Sequence, residues 1–566
     1  MTDLTETLRG IVGNAHMFTE ERDTARFRKG FRFGNGPVLA VVEPGNLVEQ
    51  WRVLKACHAA GVIIIPQASN TGLTGGSTPD GADYDRPIVI VSTSRMAKIH
   101  LIEEGRQVVC LPGATLFQLE QALRPLKREP HSVIGSSCLG ASVFGGIANN
   151  SGGALIRRGP AFTQLTLYAR VNETGGIELI NHLGVQLGND PETMLAKLEA
   201  GTFSATDIEH PEGRAASDPD YAEHIRKIDA PTPARFNADP RRLYESAGSA
   251  GKVMMFAVRL DTFPSDARNA VFYIGTNNPD ELTQIRRHIL GNFGSLPVAG
   301  EYIHRDAFNI AEIYGKDTFI AIEKLGTDRL PRLFSWKAKF DGFISRFGIF
   351  PESLGDKLMQ AASRLFPQHL PKRMLDYRDK YEHHLLLKMA GDGIEEARAY
   401  LGTIFPSADG NFFECTAEEG SKAFLHRFAV AGAAVRYRTM HAQEVSDIVA
   451  LDIALRRDDR DWVEHLPRQI EEPILHKLYY GHFFCHVFHQ DYVVAKGHDP
   501  IEIEHKMWQL LDTRGAEYPA EHNVGHLYYA KPDLAAHYRA LDPCNCFNPG
   551  IGKTSKLYCW GEDQQT

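Results

Sequence analysis

Between residues 38 and 91 the apolar positions change period twice. Val38-Leu39-Ala40-Val41-Val42 is a continuous β-rich run that turns at Pro44-Gly45, and Leu47, Trp51 and Leu54 follow at helical spacing. Val62-Ile63-Ile64-Ile65 reads as a buried strand that ends at Pro66. Strand, helix, strand and a glycine-rich connection make an α/β unit. A second cycle follows, with a strand over 108–111, a turn at Pro112-Gly113 and a helix over 116–126. Residues 252–260 read as a further strand that closes this first region, and no internal repeat is visible.

Two segments interrupt this pattern with glycine. Residues 139–153 carry Gly140, the pairs Gly145-Gly146 and Gly152-Gly153, and no charge; residues 67–77 carry Gly72 and Gly75-Gly76. A missing Cβ lets backbone approach a ligand closely and take positive φ, so the two segments are expected to wrap one extended anionic cofactor. Neither contains a P-loop or a G-x-G-x-x-G dinucleotide fingerprint, which weighs against a nicotinamide dehydrogenase. Neither carries Lys or Arg, so phosphate would be held by oriented amides and by hydroxyls of Ser69, Thr71, Ser77 and Ser142.

Charge refines this picture. The chain has net charge −9, which argues against general nucleic-acid binding. Residues 332–380 reverse the sign, with ten Lys and Arg against five Asp and Glu, interleaved with Phe334, Trp336, Phe340, Phe343 and Phe347. Cations mixed with aromatics suit anionic lipid headgroups, whereas a solvated surface excursion is the plainer reading. No run of about 20 apolar residues occurs, so no bilayer span is expected. The first residues lack a basic and an apolar region, so no secretory signal is expected, and the eight scattered cysteines form no disulfide framework.

The motifs carry a resemblance. Residues 42–77, the 139–153 segment and Asp542-Pro543 with Asn548-Pro549-Gly550 resemble the FAD-binding stretches of vanillyl-alcohol-oxidase-type flavoenzymes. His131-Ser132-Val133-Ile134-Gly135, Lys380-Tyr381-Glu382-His383-His384 and Ala520-Glu521-His522-Asn523 further resemble the bacterial respiratory, quinone-dependent D-lactate dehydrogenases. The resemblance implies an α+β protein with a PCMH-type FAD-binding domain formed by both termini (1–261 and 513–566). It also implies an α/β cap domain (262–325 and 381–512) and a basic membrane-binding insert (326–380). D-lactate, a quinone and anionic membrane lipids are the implied partners, at the cytoplasmic face of the bacterial inner membrane. Glycolate or D-2-hydroxyglutarate is an alternative substrate, and a non-catalytic flavin sensor is an alternative function.

Carried over by the resemblance, FAD contacts fall at Ala68, Ser69, Asn70, Thr71, Gly72, Gly76, Ser77, Gly135, Ser142, Gly145, Gly146, Gly152, Met255 and Asn548. Gln67 stands where many relatives have Arg, which removes a positive charge near the phosphates. His482 and His489 are seven apart, near two helical turns, although a bent strand fits this aromatic stretch as well. With Glu521 they make a sensible set of ligands for a divalent metal such as Zn or Mn. Hydrogen-bonded histidines lining a pocket remain the other reading. His522 is the implied base, a role suited to an imidazole that is largely neutral at cellular pH. An Arg fork clamps a substrate carboxylate well; Arg427 and Arg436 are the candidates, with Lys422 and His384 further possibilities.

Overall fold

The computed structural model describes residues 2–131, 140–325, 354–363 and 365–565. Its first sheet holds β1 (Met17–Phe18), β2 (Ala40–Val42), β3 (Ile63–Gln67) and β4 (Ile88–Ser92) in the order β1-β2-β4-β3. β2, β4 and β3 run parallel, and their unbroken Val and Ile runs are buried on both faces. The helix Leu47–Ala59 starts where the Asn46 side chain accepts the Glu49 N–H, and it buries Trp51, Leu54 and Cys57.

Pro66 does not end its strand. β3 continues to Gln67, because Ile63 N–H and the Gln67 carbonyl bond toward the β4 side while the Ile64 peptide groups face away from it. Pro66 shares the Ile64 side, so its missing N–H costs the ladder nothing. On that side the other end of the chain docks. Ile64 N–H bonds the Cys546 carbonyl (3.0 Å) and Asn548 N–H bonds the Ile64 carbonyl (3.0 Å). Residues near both ends therefore share one core.

The second sheet is antiparallel. It contains β5 (Ile99–Ile102), β6 (Gln107–Cys110), β7 (Arg128–Pro130), β8 (Thr166–Val171), β9 (Ile177–Asn181) and β10 (Met254–Pro264). The order is β5-β6-β10-β8-β9, with β7 also on β10. The glycine segment 139–153 is not all loop: Ser142 caps a short helix, Val143–Ala148, by accepting the Gly145 N–H at 2.9 Å.

The third sheet has seven strands: β11 (Asn269–Thr276), β12 (Ala299–His304), β13 (His383–Ala390), β14 (Gly410–Glu414), β15 (Val445–Ala454), β16 (Ile474–His482) and β17 (Val487–Ala495). They run antiparallel in the order β14-β11-β13-β12-β16-β17-β15. The helices Arg305–Tyr314 and Ala417–Met440 bury one face, and Pro279–Asn292, Gly393–Ile404 and Pro500–Thr513 bury the other. Residues 332–353 and 364 of the basic stretch, including Trp336, Lys337 and Lys339, lie outside the described residues. So does Gly135.

Candidate active site

The site begins at a hairpin. β16 ends at His482, a short 3₁₀ turn Phe483–Cys485 reverses the chain, and β17 carries His489 opposite Tyr480. The two histidines thus sit on neighbouring strands and not on a helix or a single bent strand. Their rings meet edge to face at 5.2 Å, with the Nε2 atoms 3.5 Å apart. Glu521 comes from a segment that bonds β15 through Ala520 N–H and the Asp452 carbonyl (2.9 Å), and its Oε2 lies 3.4 Å from His482 Nε2.

These distances suit a metal. Tetrahedral bonds of about 2.0–2.1 Å separate ligand atoms by about 3.3 Å, and the His482, His489 and Glu521 donor atoms lie within 4.8 Å of one another. The far ring nitrogens are also held: His482 Nδ1 is 2.7 Å from Glu301 Oε1, and His489 Nδ1 is 3.3 Å from Asp452 Oδ1. Carboxylate, imidazole and open Nε2 is the arrangement that orients a metal-binding histidine. Arg235 Nε bonds Glu521 Oε1 at 2.8 Å and its other nitrogens bond the Gly153 and Leu155 carbonyls. Gly152 is required beside it, since a Cβ there would lie 2.1 Å from Glu521 Oε1.

Electrostatics follow from this packing. Burial would lower the His482 imidazole, but Glu301 and Glu521 outweigh it and raise it to about 9. Burial lowers His489. Burial would raise Glu521, yet Arg235 and His482 bring it down to about 2. Asp452 is also held below the usual range against its burial by His522 and His489.

His522 stands over this cluster. Its ring stacks on His489 at 5.8 Å and its side chain is 40% exposed, the most open imidazole of the group. Asp452 Oδ2 accepts the backbone N–H groups of Glu521 (2.7 Å) and His522 (2.9 Å) and lies 3.5 Å from His522 Nδ1. Arg427 joins from the long helix, with its NH2 2.9 Å from Glu301 Oε2 and its guanidinium over the Tyr480 ring. Arg436 is not brought here. Nine residues make two and a half helical turns, so it faces the other way and pairs with Asp317 at 2.9 Å. Lys422 pairs with Glu418 and Glu323, and His384 is buried on β13 away from the triad.

Glu301, Asp452 and Arg235 were not singled out in the sequence. For Glu301 and Asp452 the signal is a charge inside an apolar strand, as in Gly300-Glu301-Tyr302-Ile303 and Val449-Ala450-Leu451-Asp452-Ile453, whereas Arg235 lies outside the strands and carries no such signal.

The glycine segments lie close to this cluster. Gly76 abuts the Asn523 side chain, Thr74 Oγ1 bonds the Asn523 carbonyl (2.7 Å), and His526 N–H bonds the Thr74 carbonyl (2.9 Å). Gln67 Nε2 bonds the Phe27 (2.8 Å) and Ser77 (2.7 Å) carbonyls and so closes the 67–77 segment from within. Asn70 is at φ 50° and its side chain ties Lys29 and Ser77. Asn548 Nδ2 bonds the Gly76 and Ala250 carbonyls, both at 2.8 Å. Asn548 Oδ1, Asn150 Oδ1, Ser246 Oγ and Ser249 Oγ are buried without partners, and a Cβ at Gly72 or Gly140 would meet nothing within 4 Å. Unused buried polar atoms, together with open glycine backbone on both segments, fit an extended polar cofactor. The Met255 carbonyl is already taken by Gln50 Nε2 (3.0 Å). Ala68, Ser69, Thr71 and Ser77 lie on the first segment, with Gly145 and Gly146 in the short helix capped by Ser142 on the second.

Comparison with known proteins gives this site its class. The family model described as "FAD binding domain" matches residues 38–180. The solved structure of p-cresol methylhydroxylase with substrate bound shares the fold at TM-score 0.54 and 12% identity, covering 98% of this chain and 96% of that one. The chain is an FAD oxidoreductase of the PCMH-type fold.

A second family model, "D-lactate dehydrogenase, membrane binding", matches residues 271–560. The chain is 59% identical to the quinone-dependent D-lactate dehydrogenase of Escherichia coli (strain K12), over 98% of its own length and 96% of that protein. Identity to the quinone-dependent D-lactate dehydrogenase of Haemophilus influenzae is 57%, over 99% of both chains. The chain belongs to the quinone-dependent D-lactate dehydrogenases. Among the described residues no helix is long and apolar enough to cross a membrane.

Proposed function

We propose that the protein oxidises D-lactate to pyruvate and delivers the two electrons to a membrane quinone. Bound FAD, between residues 67–77 and 139–153, supplies the hydride acceptor. His522 takes the proton of the substrate hydroxyl as the Cα hydrogen leaves. The observation that carries this reading is the open His522 ring and the more enclosed His489 sharing one Asp452 carboxylate, beside three converging donor atoms.

Each nearby residue has a task. Asp452 orients the His522 ring, its Oδ2 lying 3.5 Å from Nδ1 while it accepts the His522 backbone N–H. Arg427 offers a cation to the substrate carboxylate, with Tyr480 and Glu301 fixing its plane. His482, His489 and Glu521 would hold a divalent ion, Zn or Mn, whose chemistry is to polarise the hydroxyl and make its proton easier to remove.

Attachment to the cytoplasmic face of the membrane is assigned to the basic stretch and anionic lipids. Its cations are not all free for that task. Arg373 is paired with Glu419 and lies over Phe413, and Arg378 is paired with Glu312 and Asp379. Lys372, 89% exposed although its Nζ lies 3.3 Å from Asp376, and Lys357 remain outward, with Lys337 and Lys339 available from the sequence. Each such cation contributes about 1 kcal/mol near an anionic leaflet. The substrate assignment is tested by anaerobic flavin reduction with D-lactate against L-lactate, glycolate and D-2-hydroxyglutarate.

A further inference from the structure

Residues 233–239 belong to no helix or strand, yet they hydrogen-bond the second glycine segment on one side and residues 520–522 on the other. Asn237 and Arg235, both buried, make these links. Asn237 N–H donates to the Ala520 carbonyl (2.7 Å), and its Nδ2 donates to the His522 carbonyl. On the opposite side the Asn237 carbonyl accepts Asn150 Nδ2 (3.2 Å), which also donates to the Arg242 carbonyl (2.9 Å). Arg235 bridges in the same way one residue earlier on the catalytic segment. Its Nε donates to Glu521 Oε1 (2.8 Å), while its other nitrogens donate to the Leu155 (3.0 Å) and Gly153 carbonyls.

These bonds complete a grip that Asp452 begins. Asp452 accepts the N–H groups of residues 520–522: Ala520 on its backbone carbonyl (2.9 Å), Glu521 and His522 on Oδ2 (2.7 and 2.9 Å). Asn237 donates to the Ala520 and His522 carbonyls. One partner holds the donors and the other the acceptors, so the His522 peptide cannot turn without leaving a buried group unpaired. A misplacement of about 1 Å in a reacting group can cost about 10²-fold in rate.

Arg235 acts on the neighbouring carboxylate. It occupies Glu521 Oε1, and Oε2 is the oxygen that lies 3.4 Å from His482 Nε2. Glu521 therefore turns a single oxygen toward the space it shares with His482 and His489. A planar fork bonded at three points fixes that choice, whereas an ammonium on a flexible stem does not.

We propose that Asn237 and Arg235 are positioning residues for the reaction. Asn237 sets the peptide of His522 and Arg235 sets the carboxylate of Glu521, each against the backbone of the second glycine segment. The inference rests on the reading that His522 is the base and that His482, His489 and Glu521 hold a metal ion.

The test measures flavin content, metal affinity by competition with a chelator, and the rate of anaerobic flavin reduction by saturating D-lactate. Asn237→Ala should slow reduction about 10- to 100-fold with flavin and metal retained. Asn237→Asp, whose carboxylate faces the His522 carbonyl, should slow it at least as much. Arg235→Met should weaken metal binding about 10- to 100-fold with flavin retained. Arg235→Lys keeps the buried charge, so it serves if the Met variant does not fold; it too should bind the metal more weakly than the unmodified protein. Flavin-loaded Asn237 variants reduced at the unmodified rate overturn the role of Asn237. Unchanged metal affinity in a folded Arg235 variant overturns that of Arg235. Loss of flavin in step with either effect marks a general packing role and overturns both. An unmodified reduction rate in His522→Ala, or full activity in metal-free protein, would instead remove the reading beneath the inference.

Discussion

Asp452 Oδ2 lies 3.5 Å from His522 Nδ1 and accepts the His522 backbone N–H at 2.9 Å, so one carboxylate fixes both the ring and the peptide that bears it. Its other oxygen is 3.3 Å from His489 Nδ1. Asp452 on β15 therefore ties the proposed base to the proposed metal ligands, although it touches neither substrate nor cofactor in this account.

Asp452→Asn should keep the fold, since the amide oxygen still accepts from the backbone, yet it removes the charge that orients both rings. A fall in kcat of about 10- to 100-fold is expected, the usual loss for such a supporting carboxylate, with flavin content unchanged. Steady-state dye reduction by D-lactate measures it. A variant with wild-type kcat would remove Asp452 from the mechanism.

Removing the metal should separate chemistry from cofactor binding. Dialysis against a chelator is expected to abolish most lactate-driven turnover while the flavin absorbance persists, and added Zn or Mn should restore it. Elemental analysis should find about one ion per chain, lost in His482→Ala. Full activity in metal-free protein would leave these residues as a hydrogen-bonded histidine cluster.

The clearest pH effect on stability should come from Glu504, buried on helix Pro500–Thr513 with Oε1 unpaired. Burial raises it to about 7, against a smaller opposing pull from Arg32. A carboxyl that binds its proton more tightly when folded stabilises the fold below its ordinary value of 4.5 and loses that advantage as pH rises through 7. Glu504→Gln should therefore stabilise the protein at pH 8 by on the order of 1–3 kcal/mol and change little at pH 5. Thermal melts at the two pH values decide it, and equal shifts at both would exclude the titration.

Neutralising Lys337, Lys339 and Lys372 as Gln should move the protein into the soluble fraction while dye reduction persists. Arg373 is excluded from that set because it pairs with Glu419, which in turn accepts the Thr416 N–H at the start of the long helix. Sedimentation with anionic vesicles measures the change, and unchanged binding would place the membrane contact elsewhere.

Local chemistry made part of this architecture legible. The Val and Ile runs and the glycine segments announce themselves over a few residues, and β2, β3, β4 and the capped helix at Ser142 fall within them. His482 and His489 were recognisable as a pair, but the hairpin between them depends on the whole sheet, and seven-residue spacing fits a helix equally well. Asp452 meets His522 across 70 residues, and Arg235 meets Glu521 across 286. Such pairings leave no spacing to read. Arg427 and Arg436 were equivalent in the sequence, and helix phase alone sends one to Glu301 and the other to Asp317.

The central claim is that a flavin bound between two glycine segments is reduced by a D-2-hydroxyacid whose proton passes to His522. Anaerobic titration of the purified protein with D-lactate and, separately, L-lactate tests it most directly. The yellow flavin should bleach with D-lactate and not with L-lactate, and His522→Ala should slow bleaching by about 10²- to 10⁴-fold. A flavin left oxidised by D-lactate, or bleached at the wild-type rate in His522→Ala, would contradict it.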